Sequence, residues 1–148
     1  MHAIFTDMPT PFSQLTLAQH FRQLPGVFYR DVMPEPLHQP ELVIASSGCA
    51  ALLDIDSDSL NSPEALAILG AQRVPPHWQP LAMKYTGHQF GYYNPDLGDG
   101  RGLLLGERQL DNGQLWDLHL KGAGPTPFSR QGDGRAVLRS SIREFLCS

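Results

Sequence analysis

Apolar positions fall into short runs rather than long stripes, and most runs end at proline or glycine. Leu15 to Leu24 places apolar residues at 15, 17, 18, 21 and 24, a weak helical stripe that Pro25-Gly26 closes. Four prolines between 25 and 40 predict an extended, helix-poor stretch. Leu42-Val43-Ile44-Ala45 reads as a short strand, and Ser46 or Ser47 as the cap of a short helix through Leu53. Ser62-Pro63-Glu64 opens a helix that stops at Gly70: a serine cap, then proline and an acid in the first turn.

From Leu81 the pattern changes. Leu81 to Tyr85 reads as a strand, residues 87–91 and 98–102 as glycine-rich turns, and Leu103-Leu104-Leu105 as a buried strand. Asp111-Asn112-Gly113 signals a hairpin. Leu115 to Lys121 alternates strictly. Trp116, Leu118 and Leu120 share one face, and Leu115, Asp117, His119 and Lys121 the other. Arg135 to Cys147 predicts a helix with an apolar face at 137, 138, 141, 142, 145 and 146 and an arginine stripe at 135, 139 and 143, with Asp133 as its cap. The elements predict an α+β chain with an antiparallel sheet and a packed helix.

Composition sharpens this picture in few places. Fourteen glycines and thirteen prolines among 148 residues exceed the usual share and fit a turn-rich chain. No apolar run is long enough to span a membrane. Met1 to Asp7 lacks a basic segment leading into an apolar one, so a cytoplasmic protein is expected. Cys49 and Cys147 form no CxxC pair and read as ordinary buried thiols. Asp54, Asp56 and Asp58 open like a calcium loop but lack its glycine and closing glutamate, so a solvated acidic turn is the better reading. Residues 1–100 carry ten acids against four bases, and residues 101–148 five acids against seven bases. That balance does not suit a nucleic-acid binder, but the basic final third suits a small anion such as a nucleotide phosphate.

Three features stand in a telling order: the glycine turn Gly98-x-Gly100-x-Gly102, the lysine Lys121 ending the strand after the next hairpin, and Glu144 in the following helix. A glycine turn brings backbone amides close to phosphate oxygens. The lysine supplies a point charge, and the glutamate can hold it in place. This is the layout of a protein-kinase N-lobe. The match is inexact: the glycines do not spell G-x-G-x-x-G, and no Walker A motif occurs. Each residue also has a plainer reading: a tight turn at 98–102, an exposed strand end at Lys121, a solvated helix residue at Glu144, and structural histidines at 88 and 119.

Longer motifs carry a specific resemblance. Tyr85-Thr86-Gly87-His88-Gln89-Phe90-Gly91, Leu97-Gly98-Asp99-Gly100-Arg101-Gly102, Leu120-Lys121-Gly122-Ala123-Gly124-x-Thr126-Pro127 and Gly132-Asp133-Gly134-Arg135-Ala136-Val137-Leu138-Arg139-Ser140-Ser141-Ile142-Arg143-Glu144 resemble the selenoprotein O (SelO, YdiU) family. The resemblance is dense over 81–148 and looser over 24–43. It implies a kinase-like fold that transfers AMP from ATP to Ser, Thr or Tyr hydroxyls of proteins, with Mg2+ or Mn2+ on the phosphates. By motif, Gly98, Gly100, Arg101, Lys121, Asp133 and Gly134 would contact the nucleotide, and Glu144 would pair with Lys121.

The resemblance also implies a longer family chain, with residues 1–80 as an extension of the family domain and 81–148 as part of a kinase-like lobe. The catalytic base and the metal ligands would lie in a C-lobe outside these 148 residues. The chain is therefore expected to be an N-terminal fragment with little transferase activity of its own. Two alternatives stand beside it: a non-catalytic, pseudokinase-like nucleotide binder, and a truncated product without function.

Overall fold

The computed structural model describes residues 8–147. The reading of residues 1–7 as lacking a secretory signal lies outside the described residues. The elements in order are β1 (Thr10–Pro11), β2 (Tyr29–Asp31), α1 (Ser47–Leu52), β3 (Ile55–Asp56), α2 (Pro63–Leu69), β4 (Leu81–Gln89), β5 (Tyr92–Gly98), β6 (Gly102–Gln109), β7 (Leu115–Lys121) and α3 (Leu138–Cys147). β1 pairs parallel with β3, and the other strands form a five-stranded antiparallel sheet. The chain is thus α+β with a mostly antiparallel sheet.

The sheet is centred on β4. β2 lies along one edge, and β5 and β6 lie end to end along the other. Lys84 pairs with Gly98, and Leu81 pairs with Leu104. Between those two pairings β4 runs through residues 82–83 while the opposite line runs through 99–103, so the glycine segment bulges out of the strand. The β4–β5 hairpin turns on Phe90 and Gly91, both at positive φ, the two-residue geometry that matches strand twist. The β6–β7 hairpin turns at Asp111-Asn112-Gly113, where Leu110 N–H donates to the Gln114 carbonyl.

Residues from both ends of the chain share one core. Phe12, Leu15, Leu17, Ala50, Ile55, Ala65, Ile68 and Trp78 pack with Leu105 of β6, and Leu118 and Leu120 of β7 close over them. A smaller cluster of Ala82, Leu103 and Ala123 gathers Val32, Leu120 and Phe128. Serine caps start both short helices: Ser46 Oγ accepts from Cys49 N–H and Ser62 Oγ from Ala65 N–H.

Several sequence expectations need correction. Leu15–Leu24 forms no α-helix, only a 3-10 turn at Phe21–Gln23. The Leu15 carbonyl is engaged by the Trp78 indole N–H at 3.1 Å, and Ala18 bridges to Glu107, so this backbone bonds across the fold instead of along itself. Leu42–Ala45 forms no strand; Val43 and Ile44 are exposed, and no neighbouring strand offers a ladder. The Gly87–Gly91 turn is instead the end of β4 and a tight hairpin, and β5 was not foreseen. α3 begins at Leu138 rather than Arg135, because Asp133 Oδ1 accepts from Arg135 N–H in a local turn rather than capping the helix. Cys49, on α1, and Cys147, at the last described turn of α3, are exposed rather than buried.

One buried carboxylate ties the N-terminal segment to the sheet. Glu107 of β6 is 5% exposed, and its oxygens accept from His20 N–H at 2.9 Å and Phe21 N–H at 3.0 Å. Ala18 and Glu107 also exchange both backbone bonds. Glu107→Ala leaves two amides without an acceptor and is expected to cost about 2 kcal/mol in urea unfolding. Glu107→Gln keeps one acceptor and should cost about half as much. A loss within experimental error in Glu107→Ala would contradict this account.

A basic cleft beside the glycine bulge

The glycine bulge is held from outside the sheet by the turn that follows β7. Three successive carbonyls of the bulge accept hydrogen bonds from that turn. Thr126 Oγ1 donates to the Asp99 carbonyl at 2.6 Å, Ser129 Oγ to the Gly100 carbonyl, and Gly122 N–H to the Arg101 carbonyl at 2.6 Å. Phe128 rides over the bulge so closely that a Cβ at Gly98 would lie 2.4 Å from its ring. A Cβ at Gly100 would lie 2.9 Å from the Phe128 carbonyl. Only glycine fits at either position.

Between the bulge, β7 and residues 129–135 lies a cleft of about 820 Å³. Gly100, Arg101, Lys121, Asp133 and Gly134 line it, together with Asp99, Tyr85, Gln89, His119 and Arg135. Gly98 does not: it sits under Phe128 and lines a smaller hollow with Asp96 and Arg130. Gly134 has φ of 68° and packs where a Cβ would lie 1.9 Å from the Gly124 carbonyl, so the far wall depends on glycine too.

Lys121, at the end of β7, reaches α3. Its Nζ donates to both carboxylate oxygens of Glu144, at 2.7 and 2.6 Å, and Ser140 Oγ donates to Glu144 at 3.1 Å. Both charged side chains are close to half exposed, so the pair contributes little to stability. What it does is fix one ammonium at the rim of the cleft. Arg101 makes no ion pair among the described residues and adds positive potential at Glu144. Arg135 donates to the Gly122 carbonyl and to Glu35 Oε2 at 3.3 Å, joining the cleft wall to the N-terminal segment.

The sequence reading did not single out Tyr85, Gln89, Asp99, Ser129, Arg135 or Ser140 as site residues. Five of them lie inside the family motifs: Tyr85 and Gln89 near Gly87, Asp99 between two glycines, Arg135 after Gly134, and Ser140 four positions before Glu144. Ser129 carries no pattern that separates it from other serines.

The carboxylates differ in character. Burial pushes the Asp99 carboxyl above its usual range, opposed by the Met83 N–H and by His119. Burial, with the Asp99 charge beside it, also pushes the Tyr85 hydroxyl up. Hydrogen bonds from Lys121 and then Ser140 hold Glu144 below its usual range. No group of three or more His, Cys, Asp or Glu residues that could hold a metal ion occurs among the described residues. Asp54 pairs with Arg108, and Asp56 accepts from Asp58 N–H.

This α+β scaffold with a cationic cleft has clear relatives. The family model for protein adenylyltransferase SelO matches residues 11–148, and the chain belongs to that family. It is 56% identical over 135 residues to the "Protein nucleotidyltransferase YdiU" of Pseudomonas fluorescens strain Pf-5, covering 91% of this chain. It is 55% identical over 137 residues to the protein of the same name from Vibrio vulnificus strain YJ016, covering 93% of this chain. The matched region is 28% of the length of each of these relatives.

The two shifted carboxyls give opposite signs against pH. Glu144, with its lowered value, adds stability above the ordinary carboxylate range that is lost as pH falls through its folded value. Asp99, with its raised value, adds stability below the ordinary range that is lost as pH rises through its folded value. Carbon-13 NMR titration of the side-chain carboxyls should place Glu144 below and Asp99 above their ordinary values. Coincident midpoints at the ordinary values would refute the geometry of both sites.

Proposed function

We propose that the cleft binds the phosphates of ATP and that the chain is the N-terminal part of a protein adenylyltransferase. Supporting this is the doubly hydrogen-bonded Lys121–Glu144 pair, held at the rim beside the glycine bulge. In this reading Gly100 and Arg101 face the phosphates from the bulge, with Lys121 as a fixed point charge. Asp133 and Gly134 form the opposite wall, and Gly98 acts indirectly by letting Phe128 seat the bulge. The bulge's carbonyls are engaged by the 122–129 turn, so in this reading its amides are what a polyanion would meet.

The fold fits the same reading. An antiparallel sheet carrying a glycine loop, a strand lysine and a helix glutamate is compatible with a kinase-like N-lobe, with 81–148 as its recognisable part and 1–80 as a family extension. No helix among the described residues is long and apolar enough to cross a membrane. A cytoplasmic setting and protein substrates follow from the family reading.

The reaction we propose for the whole protein joins a Ser, Thr or Tyr hydroxyl oxygen to the α-phosphorus of ATP. The bond to the β-phosphate oxygen breaks, pyrophosphate leaves, and the hydroxyl proton passes to a base. This chain's residues position phosphates and balance charge, which is most of what such transfer requires. They do not fit a divalent metal by themselves. Among the described residues no group of three or more His, Cys, Asp or Glu is placed to hold one, and in the cleft Asp99 and Asp133 each already accept a backbone N–H on one oxygen. No step is therefore assigned through Mg2+ or Mn2+ here. The base and metal ligands belong, in this reading, to the remaining length of the longer relatives.

Lys121→Ala should weaken Mg-ATP binding to this chain at least tenfold in a calorimetric titration, with the fold retained. The equivalent change in a full-length relative should abolish protein labelling by ATP carrying label on its α-phosphate. This chain alone should label nothing above background. Wild-type labelling by the full-length variant would remove Lys121 from the site, and labelling by this chain would overturn its dependence on further sequence.

A further inference from the structure

The bulge between β5 and β6 creates a shortage on β4. Met83 presents both its backbone groups to this edge. Its carbonyl accepts from Asp99 N–H at 2.9 Å, as a strand residue's would. Its N–H finds no main-chain carbonyl there, because the opposite line has left the ladder. The Asp99 side chain turns back instead, and Oδ2 accepts from Met83 N–H at 3.0 Å. Asp99 thus bonds Met83 twice, once through its backbone and once through its carboxylate, while its own carbonyl is held by Thr126.

An aspartate is an expensive choice at this place. It is half-buried, which disfavours its charge, and it stands in a cleft whose other features suit a polyanion. A repulsive group in such a position needs a compensating task. The geometry supplies one: a short side chain with an acceptor at the second carbon is what reaches a β4 amide from the first residue of the bulge.

We propose that Asp99 is a positioning residue whose carboxylate substitutes for the missing strand carbonyl and so sets the backbone of Gly100 and Arg101 at the cleft. The task calls for an acceptor at a fixed reach and not for a negative charge. Its effect on ligand binding rests on the nucleotide reading of the cleft; its effect on the loop does not.

Three variants separate acceptor, charge and reach. Asp99→Asn keeps the acceptor and removes the charge. Asp99→Glu keeps the charge and adds one methylene. Asp99→Ala removes both. In this chain, Met83 amide hydrogen exchange and the amide chemical shifts of Gly100, Arg101 and Gly102 report the loop, and titration with Mg-ATP reports the cleft.

Asp99→Asn should keep Met83 protection and loop shifts, and bind Mg-ATP as tightly as the unmodified chain or more tightly. Asp99→Glu and Asp99→Ala should each lose about tenfold in Met83 protection and about tenfold in Mg-ATP affinity, the scale of one lost hydrogen bond. Unchanged Met83 exchange and loop shifts in both Glu and Ala variants would overturn the proposal. So would an Asn variant weakened as far as the Ala variant, since the charge itself would then be the working group. Should Asp99→Ala not fold, the Asn and Glu variants decide between the same outcomes. Failure of the unmodified chain to bind Mg-ATP would refute the nucleotide reading, and the exchange and shift data would still decide the role of Asp99.

Discussion

Three carbonyls in a row, those of Asp99, Gly100 and Arg101, accept hydrogen bonds from the turn after β7, and the cleft exists because of that contact. A bulged segment is free to move unless something outside the ladder holds it. Here the holder is Gly122 to Ser129, seated by the Phe128 ring against Gly98. The contact requires an absence of side-chain atoms on both sides. Gly98 and Gly100 clear the way on the bulge, and Gly134 does so where the far wall folds onto Gly124. The glycines of this chain thus act chiefly by permitting close approach of backbone, and in doing so they make a flexible-looking stretch well defined.

Electrostatics then builds on this frame. Lys121 emerges from β7 immediately before the clamping turn, and Glu144 comes from the helix immediately after it. One short connection therefore fixes the bulge and brings the ion pair to its rim. Exposed ion pairs add little to folding, so the value of this one lies in where it keeps a charge. Ser140, one helical turn before Glu144, donates to the same Oε1 that Lys121 binds.

Local patterns in the sequence were readable where local forces decide the outcome. Serine caps at 46 and 62, the Asn112-Gly113 hairpin and the alternation of 115–121 all reflect interactions within a few residues. The order glycine turn, lysine, glutamate was readable for the same reason: each residue type marks its own element. Long-range bonds explain the failures. Leu15–Leu24 has a helical stripe, yet Trp78 and Glu107 take its backbone groups from far along the chain. Asp133 resembles a helix cap, yet Arg135 is drawn away to Glu35 and Gly122, so the helix starts later. Asp99 looked like a spacer between glycines because its partner, Met83, lies sixteen positions away on another strand.

The bridge between Ala18 and Glu107 has a further consequence for how the chain is made. Synthesis delivers the N-terminal segment first, but its partner strand, and the carboxylate that satisfies the amides of His20 and Phe21, come about ninety residues later. Until then Leu15 and Leu17 have no β6 or β7 to pack against, and apolar side chains wait in water or on a chaperone. Closing so wide a loop is entropically slow, and the β4–β6 and β6–β7 pairings form only once β6 and β7 exist. The cleft takes its walls from β4, β7 and residues 129–135, so it needs segments far apart in the chain to be in place together. Its integrity reports on the assembly of the whole chain and not only on the motifs that line it.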